Sequence, residues 1–198
     1  MLVLFVIRFL LGAILLSATF FQGSRALLTR FEKWLLPTLV AIIFGVLFYI
    51  AREQFLYWHA GVEFGRAFVP PYSPTGIGYF LSFIFFHLFG EFIFSFLGAC
   101  LFLVCASAVN KRYGERFFYE DELYLGAAGI LLVGYPGLVY YLFLFFSVYL
   151  ALHLMAHAYV RESIRISPYY LWLPLALFLI AVQYFFMSYL PYLSTFVL

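Results

Sequence analysis

Residues 123–160 form an uncharged segment of 38 residues, LYLGAAGILLVGYPGLVYYLFLFFSVYLALHLMAHAYV, without Asp, Glu, Lys or Arg. A helix needs about 20 apolar residues to cross roughly 30 Å of hydrocarbon. The sequence GYPG at 134–137 divides the segment, because Pro and Gly both interrupt helices. The segment therefore predicts a short membrane helix, a turn, and a second, fuller membrane helix.

The rest of the 198-residue chain has the same apolar character. Hydrophobic residues make up 67% of it and charged residues only 10%, against about a quarter in soluble domains. This composition excludes a water-soluble protein and predicts a single integral membrane domain over residues 1–198, with the lipid bilayer as its partner. The net charge is only +2 and the basic residues are dispersed, which argues against nucleic acid as a partner.

Charged residues separate the other apolar segments. Residues 2–21 and 34–51 are each long enough for one span, and Pro37 lies in the first turn of the second, where its missing N–H costs nothing. Residues 166–198 supply a last span, bracketed by Pro174 and Pro191.

The third span is the least regular of the predicted helices. Residues 76–109 contain one charge, Glu91, and as a single helix they would reach about 50 Å. They form either one long tilted span or a span that breaks near Gly90. In total the sequence predicts an all-α, polytopic transmembrane helix bundle with about six spans.

Basic residues indicate which side of the membrane each loop faces. Loops 22–33, 110–122 and 161–168 together hold eight Lys and Arg residues, whereas loop 52–75 holds two. Cytoplasmic loops accumulate Lys and Arg, so the first three loops are predicted to be cytoplasmic and both termini to lie outside. Loop 52–75 is rich in aromatic residues and predicts an interfacial helix followed by a Pro-rich turn.

Three consecutive carboxylates, Glu120, Asp121 and Glu122, lie at the cytoplasmic edge of the fourth predicted span. Neighbouring carboxylates that share protons provide the general acid and base of aspartic peptidases. A structural interpretation is favoured by the spacing alone, because acidic residues at a helix start suit the positive end of its dipole.

Other ionisable residues at membrane depth are weaker candidates. His87 and Glu91 are four residues apart, a spacing that suits proton transfer or a polar contact between helices. His153 and His157 have the same spacing, but a metal site needs further ligands, which the sequence does not reveal. Arg8, inside the first span, either extends toward the interface or pairs with a buried carboxylate. No cofactor and no metal is predicted.

The segment from Gly114 to Gly129, GERFFYEDELYLGAAG, resembles the part of type IV prepilin peptidases that carries a Gly-x-Gly-Asp motif followed by a helix of small residues. Asp121 matches the aspartate of that motif. Residues 30–37, RFEKWLLP, are similar to the family's loop in which an aspartate precedes a helix-opening Ile-Pro, and residues 166–174, ISPYYLWLP, resemble the entry to its last helix.

The resemblance implies a membrane aspartic endopeptidase that cleaves the leader of a pilin-like peptide at the cytoplasmic face. Asp121 would be one member of the acid–base pair. Arg30 stands where the family has its first aspartate, so Glu32 is the carboxylate left to act as the second member. Phe118 and Glu120 stand in place of the two glycines of the motif.

Two alternatives from other functional classes stay open. One is a non-catalytic subunit that packs against other membrane chains, favoured by the 28 Phe and 17 Tyr residues. The other is a proton or solute transporter that uses His87 and Glu91. The resemblance implies a bacterial inner membrane, and the aromatic-rich composition is also compatible with a mitochondrial inner membrane.

Overall fold

The computed structural model describes residues 2–20, 22–60, 76–114, 118–160 and 168–189, and these residues contain helices and turns but no strand. The prediction of an all-α bundle is confirmed. The helices of the described residues are α1 (Leu2–Phe20), α2 (Gln22–Ala60), α3 (Gly76–Arg112), α4 (Glu120–Val133), α5 (Gly137–Val160) and α6 (Tyr169–Tyr189).

Four of these helices are long and apolar enough to cross a membrane. Their apolar segments are Val3–Phe20, Trp34–Ala60, Gly76–Arg112 and Gly137–Tyr159, in α1, α2, α3 and α5. The apolar parts of α4 and α6, Glu122–Val133 and Tyr169–Phe185, are shorter. The chain is therefore a helical membrane protein.

The predicted loop 22–33 is wrong. Its backbone, up to residue 33, is helical and continuous with the span that follows, so Pro37 lies inside α2 and not in a first turn. The charges in this segment exclude it from hydrocarbon, but Arg, Glu, Lys and Leu are good helix formers. At its other end α2 continues through the predicted interfacial segment to Ala60, and residues 61–75 lie outside the described part of the chain.

Of the two forms predicted for residues 76–109, the structure has the single long helix, with a π-helical turn just before Gly90. Residues Phe85–Phe89 form this turn inside α3, and Gly90 donates its N–H to the carbonyl of Phe85. α3 is thus one long helix with a local change of register. A π turn adds a residue to the turn and rotates the side chains beyond it relative to those before it.

The turn between α4 and α5 is confirmed at the predicted place. α4 ends at Val133, and Gly134 adopts a left-handed conformation with φ of 80°, which a residue without a Cβ adopts at little cost. The predicted boundary of the last span is wrong, since α6 begins at Tyr169 and Pro174 lies inside it. Pro191 lies outside the described residues.

α4 is the centre of the bundle. It is the shortest of the six helices and contacts all five others. Residues 125–134 are all buried, and small residues at 126–129 allow the neighbouring helices to approach closely. Large side chains from the surrounding helices complete the same core, among them Phe92, Tyr141, Phe145 and Trp172.

One contact illustrates why α4 needs glycine. The hydroxyl of Tyr141, from α5, donates a hydrogen bond of 2.8 Å to the carbonyl of Trp172 in α6 and passes directly over Gly129. A Cβ at Gly129 would lie 2.9 Å from Cζ of Tyr141 and still closer to its hydroxyl. Tyr141 and Trp172 are fully buried, so neither can move aside freely.

We expect Gly129→Ala to lower the free energy of unfolding by about 1–3 kcal/mol, the usual cost of overpacking a core. Part of this loss should be recovered in the double variant Gly129→Ala/Tyr141→Phe, which removes the obstructing hydroxyl. Gly45→Ala is the control, because no atom lies within 4 Å of its added Cβ. Thermal unfolding in detergent measures all four proteins, and equal effects at positions 45 and 129 would contradict the packing.

Candidate functional site

The three consecutive carboxylates occupy the first turn of α4, and Glu122 is the one whose side chain the structure describes. Glu122 is fully buried, and its Oε2 accepts a hydrogen bond of 2.8 Å from the backbone N–H of Tyr119. It therefore closes the N-terminus of α4 from the third helical position, as the acidic member of a capping box does. Asp121 occupies the second helical position, and its side chain lies outside the described part of the structure.

The segment before α4 is also held from α3. Asn110, at the end of α3, is 5% exposed. Its Nδ2 donates to the carbonyl of Phe118 at 2.8 Å, and its Oδ1 accepts from the N–H of Phe118 at 3.1 Å. The backbone of Phe118 is thus bound on both sides by one buried side chain.

Glu32, the predicted partner of Asp121, lies in the part of α2 whose backbone is described but whose side chains are not. α2 contacts α4. Leu36 follows Glu32 by one helical turn, Leu125 follows Asp121 by one turn, and both leucines belong to the same buried core. The distance between the two carboxylates therefore stays a prediction.

A second polar cluster lies at the opposite end of α4. The guanidinium of Arg8, from α1, packs against Gly134, where an added Cβ would be 2.6 Å from its Nη1. A cation is favoured there, because the C-terminus of a helix carries partial negative charge. In α6, the side-chain amide of Gln183 faces the carbonyl of Val133 at 3.2 Å and the N–H of Gly137 at 3.3 Å, and it hydrogen-bonds to both when its nitrogen is assigned to the side of the carbonyl and its oxygen to the side of the N–H.

Glu91 is a half-buried carboxylate of α3, and we expect its charge to attract that of Arg8, although no ion pair of 4 Å or less joins the two within the described residues. The Nε of Arg8 is buried and has no hydrogen-bond partner in the part of the chain that the structure describes. The pairing of Arg8 with a carboxylate is thus not seen as a direct contact and stays a prediction.

His87 lies within the π turn. Its ring is exposed and stacks on Phe83 with centroids 4.6 Å apart, and its Nδ1 lies 3.1 Å from the carbonyl of Phe83. The described contacts include no hydrogen bond between His87 and Glu91. The π turn ends at Phe89, before Glu91, and changes the register on which the predicted pairing relied.

The groove beside the π turn is apolar. It has a volume of about 580 Å³, lies between α2 and α3, and is lined by aromatic and aliphatic side chains with Ser82 as the one hydroxyl. It therefore offers no chain of polar groups for proton or solute transfer.

His153 and His157 do not form a metal site with other described residues. The ring of His153 packs nearly perpendicular to that of Tyr149, with centroids 4.6 Å apart, and His157 is exposed. Across the described ranges, no group of three or more His, Cys, Asp or Glu side chains is arranged to hold a metal ion.

Sequence reasoning missed three residues that the structure makes prominent. Asn110 and Gln183 are lone amides in apolar helices, and no spacing pattern distinguishes them. Glu122 belongs to the predicted acidic group, but the sequence emphasised Asp121. The position of Glu122 at the third helical residue was the available signal, and it was weakened because Tyr119, not Ser or Thr, occupies the N-cap.

Comparison of the chain with protein-family models, with curated proteins and with solved structures finds no match in any of the three.

We expect the Arg8 and Glu91 charges to be thermodynamically coupled. Arg8→Met and Glu91→Gln should each lower the free energy of unfolding by about 1 kcal/mol, because each leaves the other half-buried group without its counter-charge. The double variant should lose less than the sum of the two, by about 1 kcal/mol.

The control cycle uses Arg52 and Glu53, an exposed ion pair of 2.7 Å in α2. Its coupling should not exceed about 0.5 kcal/mol, as is usual for surface pairs. Chemical or thermal unfolding in detergent measures both cycles. Strict additivity of Arg8→Met and Glu91→Gln would contradict the interaction.

Proposed function

We propose that this chain is a prepilin-peptidase-like integral membrane protein that cleaves the leader of a pilin-like peptide at the cytoplasmic face of the membrane. Asp121 and Glu32 form its acid–base pair. The observation that carries the proposal is the position of α4: the helix that begins with the acidic residues is the central helix of the bundle and contacts α2, the helix that bears Glu32.

The proposed chemistry needs two carboxylates with one proton between them. The ionised carboxylate takes a proton from water as the water oxygen attacks the peptide carbonyl, and the protonated carboxyl group donates a hydrogen bond to that carbonyl. Proton transfer to the departing amine then breaks the C–N bond and restores the shared proton. Asp121 and Glu32 are equivalent candidates for the two roles.

The proposed membrane arrangement follows from the basic residues and the helices together. All six helices cross or enter the membrane, with the starts of α4 and α6 on the cytoplasmic side and both termini outside. The host membrane is a bacterial inner membrane, as in the family that the sequence resembles. This arrangement supports the function because Asp121 then meets a leader peptide on the side where basic leaders are retained.

We expect Asp121→Asn to reduce cleavage of a pilin-like peptide by at least about 100-fold, since removal of a general acid or base costs 10²–10⁴-fold. Glu32→Gln should have a similar effect. Glu53→Gln, which alters an exposed carboxylate at the other end of α2, is the control. The assay follows the electrophoretic shift of a co-expressed substrate with a basic leader and an apolar helix. Full cleavage by Asp121→Asn would remove the proposal.

A non-catalytic subunit is the second candidate, favoured by one specific observation. Among the described helices, α5 packs mainly against α4 and α6. Its opposite face exposes large side chains at regular helical spacing, namely Val139, Phe143, Phe146, Leu150 and Leu154. Purification in mild detergent separates the candidates: a stoichiometric partner chain with no cleavage activity favours the subunit, and an active monomer favours the peptidase.

A further inference from the structure

The two residues before α4 are held by three different helices. Asn110 of α3 binds both backbone polar groups of Phe118, and Glu122 of α4 binds the N–H of Tyr119. The ring of Phe118 lies against Trp172 of α6, with centroids 6.3 Å apart.

The chemistry of the two polar side chains shows that they hold the backbone in one conformation. Asn110 uses its carbonyl and its amide on the same residue, so a rotation of Phe118 breaks both bonds at once. Tyr119 has an extended backbone (φ −79°, ψ 159°), and α4 begins at the next residue. The hydrogen bond from Tyr119 to Glu122 therefore sets the point at which extended backbone becomes helix.

The burial of Glu122 is the unusual feature. A carboxylate without exposure is costly unless hydrogen bonds compensate it. Helix N-termini are usually closed more simply, by Ser, Thr, Asp or Asn at the N-cap. Here the capping carboxylate stands directly after Asp121 in the chain, and its bond to Tyr119 spans the two residues between them. If the hydrogen bond between Glu122 and the N–H of Tyr119 broke, the backbone of Asp121 between them would move as well.

We propose that Asn110 and Glu122 are positioning residues that clamp Phe118 and Tyr119 and thereby fix Asp121 at the start of α4. This inference rests on the proposed function, because Asp121 is the residue that the clamp positions. Neither side chain touches the substrate. Their role is to hold the catalytic carboxylate at a constant distance from its partner, and small displacements of a reacting group cost large factors in rate.

The first test separates positioning from chemistry through conservative variants. Glu122→Gln keeps an oxygen that accepts the hydrogen bond of Tyr119, so its kcat should stay within about threefold of the wild type. Glu122→Ala and Asn110→Ala remove the clamp, and each should lower kcat per folded molecule by about tenfold or more with little change in KM. Ser147→Ala is the matched control, since it removes an exposed side-chain-to-backbone bond of 2.8 Å in α5.

Two results would overturn the inference. If Glu122→Gln lost as much activity as Glu122→Ala, the charge of Glu122 itself would take part in the reaction. If Asn110→Ala lowered only the yield of folded protein and left kcat unchanged, the clamp would be structural. We expect the double variant Asn110→Ala/Glu122→Ala to lose less kcat than the product of the two single losses, because both residues hold the same segment.

A second measurement needs no substrate and so distinguishes this inference from the proposed function. Asp121→Cys is introduced in a background with Cys100→Ala and Cys105→Ala, and its rate of modification by a maleimide is followed. Adding Asn110→Ala should change that rate by about tenfold, as expected when a local hydrogen-bonded structure opens. An unchanged rate contradicts the clamp even if cleavage is seen. A changed rate without any cleavage by the wild type supports the clamp and contradicts the peptidase.

Discussion

A helix that is too short to reach both surfaces of the membrane must have its end groups satisfied by the protein. α4 has 14 residues and is about 21 Å long, against roughly 30 Å of hydrocarbon. Each end of a helix leaves up to four backbone groups without intrahelical partners, and water cannot supply them inside the bundle. Both polar clusters follow from this requirement. Glu122 serves the N-terminal end, and Gln183 serves the C-terminal end beside Gly134, whose φ is positive.

Much of the fold could be predicted because hydrophobic length and helix-breaking residues carry the information. The GYPG turn comes from local chemistry, and the structure has it where the sequence puts it. The errors have two causes. Charged residues mark where a chain leaves hydrocarbon, but they do not end a helix, so α2 continues through the predicted loop 22–33. Likewise Pro174 lies inside α6, since proline interrupts one hydrogen bond without necessarily ending the helix.

The candidate site was harder to predict because the residue at which a helix begins decides which of its side chains face the bundle. The sequence shows three adjacent carboxylates at 120–122, but only the position of the N-cap decides which one turns into the bundle. Tyr119 is not a usual N-cap residue, so the available signal, Glu122 three residues later, was too weak to fix where the helix begins. The same limitation applied to His87 and Glu91. Their spacing suggests a common face, and the π turn that removes it has no sequence pattern of its own.

The small residues of α4 and the large aromatic residues around it are two parts of one packing solution. Gly126 lies against the rings of Phe102 and Trp172, and Gly129 lies against Tyr141. Helices in lipid gain little from the hydrophobic effect, so close backbone approach and van der Waals contact must hold them together. Small residues on the central helix allow five neighbours to approach, and broad rings fill the spaces between them. The packing of α4 against its five neighbours thereby fixes the position of the helix. Asn110 and Glu122 fix only the backbone conformation of the two residues that precede it.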